Sequence, residues 1–144
     1  MAKPDSWRLD PANYPFSLEI PTRYGDLDTN HHLNNVAYAR FFEEGRVRYQ
    51  LEIRARDYFA GRRGVIASLT VNYLAEGGYP RPVTVTAGFG PPGRTSWQIL
   101  LAAFQKDRCI ATCDSLLVGR DDAGPVPVTD EWRMIIESQQ VRRR

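Results

Sequence analysis

Between Asn34 and about Ala55 the hydrophobic positions recur every three or four residues. Ala37, Tyr38, Phe41, Phe42, Gly45 and Tyr49 fall on one side of a helix, while Arg40, Glu43 and Arg46 fall mostly between them. Asn34 or Asn35 is a competent N-cap, because an asparagine side chain accepts from the backbone N–H groups that a helix start leaves unpaired. Glu43–Arg46 and Glu44–Arg48 are spaced to pair along the surface, at about 0.2–0.5 kcal/mol each. Gly45 costs about 1 kcal/mol against alanine inside a helix, which predicts a strand packed closely there.

On both sides of this segment the period drops to two. Phe16 to Ile20 alternates and predicts a first strand running towards Tyr24, with Pro21 marking an edge position or a bulge. After Gly61-Arg62-Arg63-Gly64, one face of a strand is predicted from Val65, Ala67, Leu69, Val71 and Tyr73, with Ser68, Thr70 and Asn72 on the other. Val83 to Phe89 alternates again. Trp97 to Phe104 is almost continuously apolar, as a central strand is when both its faces are covered. Cys109 to Val118 follows a turn at Asp107. The turns between these strands are short, so neighbours should pair antiparallel. Thr129 then caps a short helix to about Gln139, with Asp130 and Glu131 in its favourable first turn.

The order strand, long helix, four strands, short helix predicts an α+β fold. A five-stranded antiparallel sheet curls around one long central helix and buries its apolar stripe. A single domain is expected over residues 1–144, with 1–15 as an N-terminal arm anchored by Trp7 and 140–144 as a frayed basic tail. Sheet edges invite a second copy, so a homodimer or homotetramer is expected. The formal charge of +2 lies partly in that tail, which argues against a nucleic-acid binder. Cys109 and Cys113 share one predicted strand and stand roughly 13 Å apart, beyond disulfide reach. Free buried thiols suit a reducing cytoplasm, and the absence of an apolar leader or span-length run gives no expectation of membrane contact.

Candidate chemistry collects between Arg23 and Tyr38, where both histidines, two aspartates and three asparagines occur together. Asp26, Asp28 and Asn30 mimic the opening of a calcium loop, but His31 and Ala37 stand where that loop needs glycine and glutamate. Adjacent His31 and His32 are poorly placed to share a zinc ion, and no third ligand is spaced for one; no metal or cofactor is expected. Singly, Asn34 and Asn35 read as caps and Asp26 as a loop former. Asp28, Asn30 and His32 converge where only one cap is needed.

Arg23-Tyr24-Gly25-Asp26-Leu27-Asp28, followed by His32-Leu33-Asn34-Asn35 and Tyr38, resembles the D-x-D-x-x-x-H-[VL]-N-N-x-x-Y signature of hotdog-fold acyl-CoA thioesterases. These are the group related to 4-hydroxybenzoyl-CoA thioesterase. Asp28-Thr29-Asn30-His31-His32 is also similar to the D-x-N-x-H pattern of acyl-ACP thioesterases. The resemblance implies hydrolysis of an acyl-CoA thioester to free acid and CoA, with Asp28 as nucleophile or general base and Asn30 and His32 as its companions. It further implies an oxyanion hole of backbone N–H groups near Asn34, Asn35 and Val36, with Tyr38 as pocket wall. Arg63 and Arg94 are candidates for the CoA phosphates. The acyl pocket would lie between the helix and a partner subunit's sheet, lined by residues such as Phe41, Phe42, Leu69 and Val71. His31 departs from the pattern, since many relatives carry glycine before the histidine. Acyl-ACP hydrolysis and a non-catalytic acyl-thioester-binding role are the alternatives.

Overall fold

Helix α1 (Asn35–Glu52) starts where Asn34 Oδ1 accepts from the Ala37 N–H at 2.7 Å. All six residues of its predicted apolar stripe are buried. The helix stops three residues short of Ala55, because Arg54 turns left-handed at φ 55° and a 3-10 turn, Ala55–Tyr58, follows. Glu44 and Arg48 pair at 3.5 Å. Arg46 does not take the surface place expected for it: it is only 7% exposed and is turned beneath the helix towards the sheet. In a computed structural model these features are described for residues 3–144.

The sheet comprises β1 (Phe16–Ile20), β2 (Arg63–Tyr73), β3 (Val83–Phe89), β4 (Ser96–Gln105) and β5 (Arg108–Asp121), ordered β1-β3-β4-β5-β2 and antiparallel throughout. The pairing of sequence neighbours holds for β3, β4 and β5 but not for β2 and β3: the segment between them crosses over, so β2 pairs with β5 and β3 with β1. A two-residue strand, β6 (Gly124–Pro125), pairs back on β5. β4 is central and buried on both faces, which its unbroken apolar run requires. β1 is an edge strand, as Pro21 indicated, and it ends at Ile20 because the proline has no N–H to continue the ladder. The chain then makes a 3-10 turn, Tyr24–Asp26, in place of the strand expected to reach Tyr24. β2 carries a bulge between Ile66 and Ser68, so the alternation predicted from Val65 to Tyr73 changes phase partway.

α1 packs on β3, β4 and β1, and its contact with β2 is slight. At Gly45 a Cβ would run into Val85 Cγ1 of β3, which explains the glycine inside the helix. The sheet curled around α1 is the hotdog arrangement that the resemblance implied. Helix α2 (Asp130–Ser138), capped by Thr129 Oγ1 accepting from the Trp132 N–H at 3.1 Å, seats Trp132 among Tyr58, Phe59, Phe89 and Trp97.

A second cluster, Tyr14, Leu100, Ala102, Phe104 and Val141, packs separately from the core around α1. The arm that closes over it is held by Arg8 more than by Trp7. The Arg8 guanidinium donates to Asp114 Oδ1 at 2.7 Å, to Leu101 O at 3.0 Å and to the Tyr14 hydroxyl at 3.0 Å. The tail is tied down in place of fraying: the Val141 N–H donates to Phe89 O at 3.0 Å and that of Arg142 to Asn13 O at 2.8 Å. Both cysteines are free, and burial pushes the Cys109 thiol up to about 11. No helix among the described residues is long and apolar enough to cross a membrane.

Candidate active site

Between the 3-10 turn and α1 the chain closes a tight loop, with Leu27 and Leu33 meeting as an antiparallel bridge. The Asp28 N–H donates to His32 O at 2.9 Å and the His31 N–H to Asp28 O at 3.0 Å. This closure needs a left-handed residue, and His31 supplies it at φ 62°. The conformation is the one glycine adopts at least cost, so the departure from the family pattern keeps the backbone and adds an exposed side chain. The loop is docked at both ends. The Leu33 N–H donates to Gly77 O at 3.0 Å and that of Asn34 to Asp26 O at 2.9 Å. Gly77 admits this approach because a Cβ there would lie 2.6 Å from Leu33 Cδ1.

Asp26 forms the base of the loop. Its carboxylate, 2% exposed, accepts from the Arg23 N–H at 2.8 Å and from the Arg40 guanidinium at 2.8 and 2.9 Å. Burial works to raise its pKa, but these donors together with the Arg23 guanidinium outweigh it and hold the group below the usual carboxylate range.

Asp28 is exposed, and only its Oδ1 is engaged, accepting from the Asn30 N–H at 2.8 Å and the His32 N–H at 3.2 Å. The remaining oxygen keeps its lone pairs. Asp28, Asn30, His32, Asn35 and Tyr38 line one groove of about 270 Å³ together with Leu33, Tyr73, Ala75 and Glu76. His32 Nε2 lies 3.1 Å from Glu76 Oε2; a carboxylate only accepts, so Nε2 carries the proton between them. Tyr38 is buried, donates to Ala75 O at 3.4 Å and meets the Tyr73 ring edge-on at 5.3 Å. Its ring forms part of the groove lining.

At the helix start, Asn34 is committed to the fold. Its N–H is taken by Asp26, its side chain caps Ala37, and its carbonyl accepts from Tyr38, which corrects its assignment as an oxyanion donor. Asn35 and Val36, both exposed, keep N–H groups that no intrahelical carbonyl can reach. Glu76 escaped sequence reasoning; its only signal was the Gly77-Gly78 pair that brings the segment against Leu33. Arg63 and Arg94 are not brought to this groove within the protomer. Arg63 starts β2, and ten residues of strand put it about 33 Å from Tyr73; it pairs with Asp122 at 3.1 Å. Arg94 O accepts from Val128 N–H at 2.8 Å, at that same far end of the sheet. Phe41 and Phe42 are sealed in the core, while Leu69 is exposed and Val71 half-buried. Among the described residues no cluster of three or more His, Cys, Asp and Glu is placed to hold a metal ion.

Residues 22–135 match the family described as the thioesterase-like superfamily. The chain belongs to that superfamily. Thioester hydrolysis is therefore the reaction class of its fold and loop. A predicted thioesterase from Bacillus stearothermophilus is 27% identical, with a TM-score of 0.78 over 90% of this chain and 98% of that one. A protein of Pseudomonas aeruginosa is 26% identical, with a TM-score of 0.78 over 94% and 98%. A thioesterase from Thermus thermophilus, in complex with coenzyme A and zinc, is 22% identical with a TM-score of 0.76 over 91% and 98%, a likeness of fold. No curated protein matches the chain in sequence.

Proposed function

We propose that this protein hydrolyses acyl-CoA thioesters, with Asp28 as the catalytic carboxylate. The observation that supports the reading is the state of Asp28: it lines the groove at the start of α1, with one oxygen held by two backbone N–H groups and the other uncommitted. Fixing Oδ1 removes the rotational freedom that a free aspartate would lose at each turnover. The other oxygen takes a proton from water, and the hydroxide adds to the thioester carbonyl carbon. Attack by the carboxylate itself is the alternative route to the same products. The oxyanion is met by the N–H groups of Asn35 and Val36, each such donor contributing about 3 kcal/mol to the transition state. Collapse breaks the C–S bond and releases the CoA thiolate, which takes the proton that Asp28 gained and restores the carboxylate. The Asn30 amide orients the water. His32, braced by Glu76, holds the loop closed at the rim.

The carrier is read as coenzyme A because the Thermus thermophilus thioesterase is complexed with it. The same reading includes a homodimer. β2 is an outermost strand whose free edge offers unpaired backbone groups, and Ile66, Leu69 and Tyr73 are exposed along it. Antiparallel pairing of two β2 strands about Ser68 carries the partner's Arg63 to the Tyr73 end of the groove, where a CoA phosphate would meet it. Two free thiols with raised pKa fit a reducing cytoplasm.

Asp28→Asn is the test, since it preserves shape and removes the proton acceptor. Turnover of an acyl-CoA panel should fall at least about a hundredfold with an unchanged melting temperature. Near-normal turnover in that variant would remove Asp28 from the reaction.

A further inference from the structure

Arg46 is a buried charge that no carboxylate of the described residues neutralises. It projects from the middle of α1 towards β5, is 7% exposed, and makes one side-chain hydrogen bond, from Nη1 to Ser115 Oγ at 3.3 Å. Ser115 is a neutral acceptor, itself fully buried. No carboxylate pairs with Arg46 among the described residues. Glu43, three residues earlier, is exposed and stays unpaired with it. Cys113 lies nearby with its thiol pushed up by burial, and so supplies no counter-charge. A guanidinium with five donors has spent one of them. Its unpartnered nitrogens are not sealed off, so they stay open to an anion that enters beside the helix.

The surroundings say where such an anion would come from. Ser115 pairs across the sheet with Leu69 of β2, the strand that α1 barely touches. A groove lies towards each end of β2, and the two share no lining residue. One is the catalytic groove at Tyr38 and Tyr73; the other, of about 670 Å³, is lined by Val47, Gln50 and Leu51 of α1 and by the start of β2. Arg46 stands between the two.

From this geometry we infer that Arg46 is a receptor for a carboxylate at the far end of the acyl chain, so that ω-carboxyacyl thioesters are the preferred substrate class. The inference rests on the thioesterase reading and names its substrate. Distance supports a medium-length chain. Val36 and Arg46 are ten residues apart, about 15 Å along the helix axis, and helical side chains lean back towards the N-terminus. At roughly 1.2 Å per bond of extended chain, an acyl group of about six to eight carbons brings its terminal carboxylate to the guanidinium. Two parallel N–H···O bonds then form from donors that have no acceptor within the protomer.

Suberoyl-CoA and octanoyl-CoA differ only in that carboxylate. In the wild-type protein kcat/KM should favour suberoyl-CoA, and Arg46→Met should lower the suberoyl-to-octanoyl ratio by roughly ten- to a hundredfold. Arg46→Lys keeps the charge without the fork and should fall between. A wild-type protein indifferent to the pair, or an Arg46→Met variant that slows both substrates equally, overturns the proposal and makes Arg46 a structural residue. Should Arg46→Met fail to fold, the wild-type preference and Arg46→Lys decide. The corresponding thioethers, carboxyheptyl-CoA and octyl-CoA, need no turnover. If no acyl-CoA is hydrolysed, the thioesterase reading fails, and calorimetric preference of the wild type for the carboxylated thioether still judges Arg46 by itself.

Discussion

Asp26 and Asp28 stand two residues apart and have opposite fates. Asp26 is enclosed by the Arg23 and Arg40 guanidinium groups and binds the turn to α1, whereas Asp28 keeps an oxygen open to the groove. Asp26→Asn should therefore cost stability, about 1.5–3 kcal/mol for hydrogen bonds to charged donors, and urea denaturation near neutral pH measures it. The pH dependence follows from the depressed pKa of Asp26. A carboxylate held lower in the native state than in the unfolded chain stabilises fully above the unfolded value, about 3.9, and loses that contribution as pH falls through the lower native value. The gap between wild type and Asp26→Asn should accordingly narrow in denaturation curves taken below about pH 4. The roles that local chemistry sets were legible in sequence: Asn34 as cap, Asp26 as loop former. Glu76 was not, because its approach to His32 depends on Gly77 docking under Leu33, a contact between segments far apart in the chain.

At the scale of elements, Gly45 shows how packing overrides propensity. Alanine is the better helix former by about 1 kcal/mol, yet a Cβ at that position meets Val85 Cγ1 and lies 3.5 Å from Leu101 Cδ2. Gly45→Ala should destabilise the protein by about 1–3 kcal/mol as an overpacked core does, and Val85→Ala in the same chain should recover part of the loss; melting curves of the single and double variants check this. The helix, the two caps and the pairing of β3, β4 and β5 could be read from the sequence, whereas the placing of β2 beside β5 could not, because a crossover leaves no local signal. Nor could three further details. The bulge after Ile66 shifts a period-two pattern without interrupting its composition. Arg54 takes a left-handed conformation that carries no residue signature and ends α1 early. Arg46 occupies a helical position that a pattern of polar residues assigns to the surface, and only the three-dimensional course of β5 beneath it shows otherwise.

For the whole molecule, the proposed dimer rests on the exposed edge of β2. A strand of eleven residues with an open ladder and apolar side chains is a pairing template. Leu69→Lys, which places a charge at the centre of that edge, should sediment as a monomer where the wild type sediments as the proposed dimer, while the protomer keeps its helix content. If Arg63 serves the neighbouring groove, the same variant should raise KM for acyl-CoA more than it lowers kcat. The tail, expected to fray, instead clamps the arm through Asn13 and Arg142, because the second apolar cluster needs a cover.

The acyl path proposed past Arg46 would join the grooves at the two ends of β2 into a passage open at two mouths. A blind pocket measures its guest by the depth of its floor; a passage has no floor to measure with. Selection along it must come from posts set in the walls, so the length of the acyl chain would matter less than what that chain carries as it goes by each post. Lengthening a substrate would then extend it towards the second mouth and its rim of Arg56, Arg62 and Arg63, where a longer guest would find room and positive charge before it met a barrier.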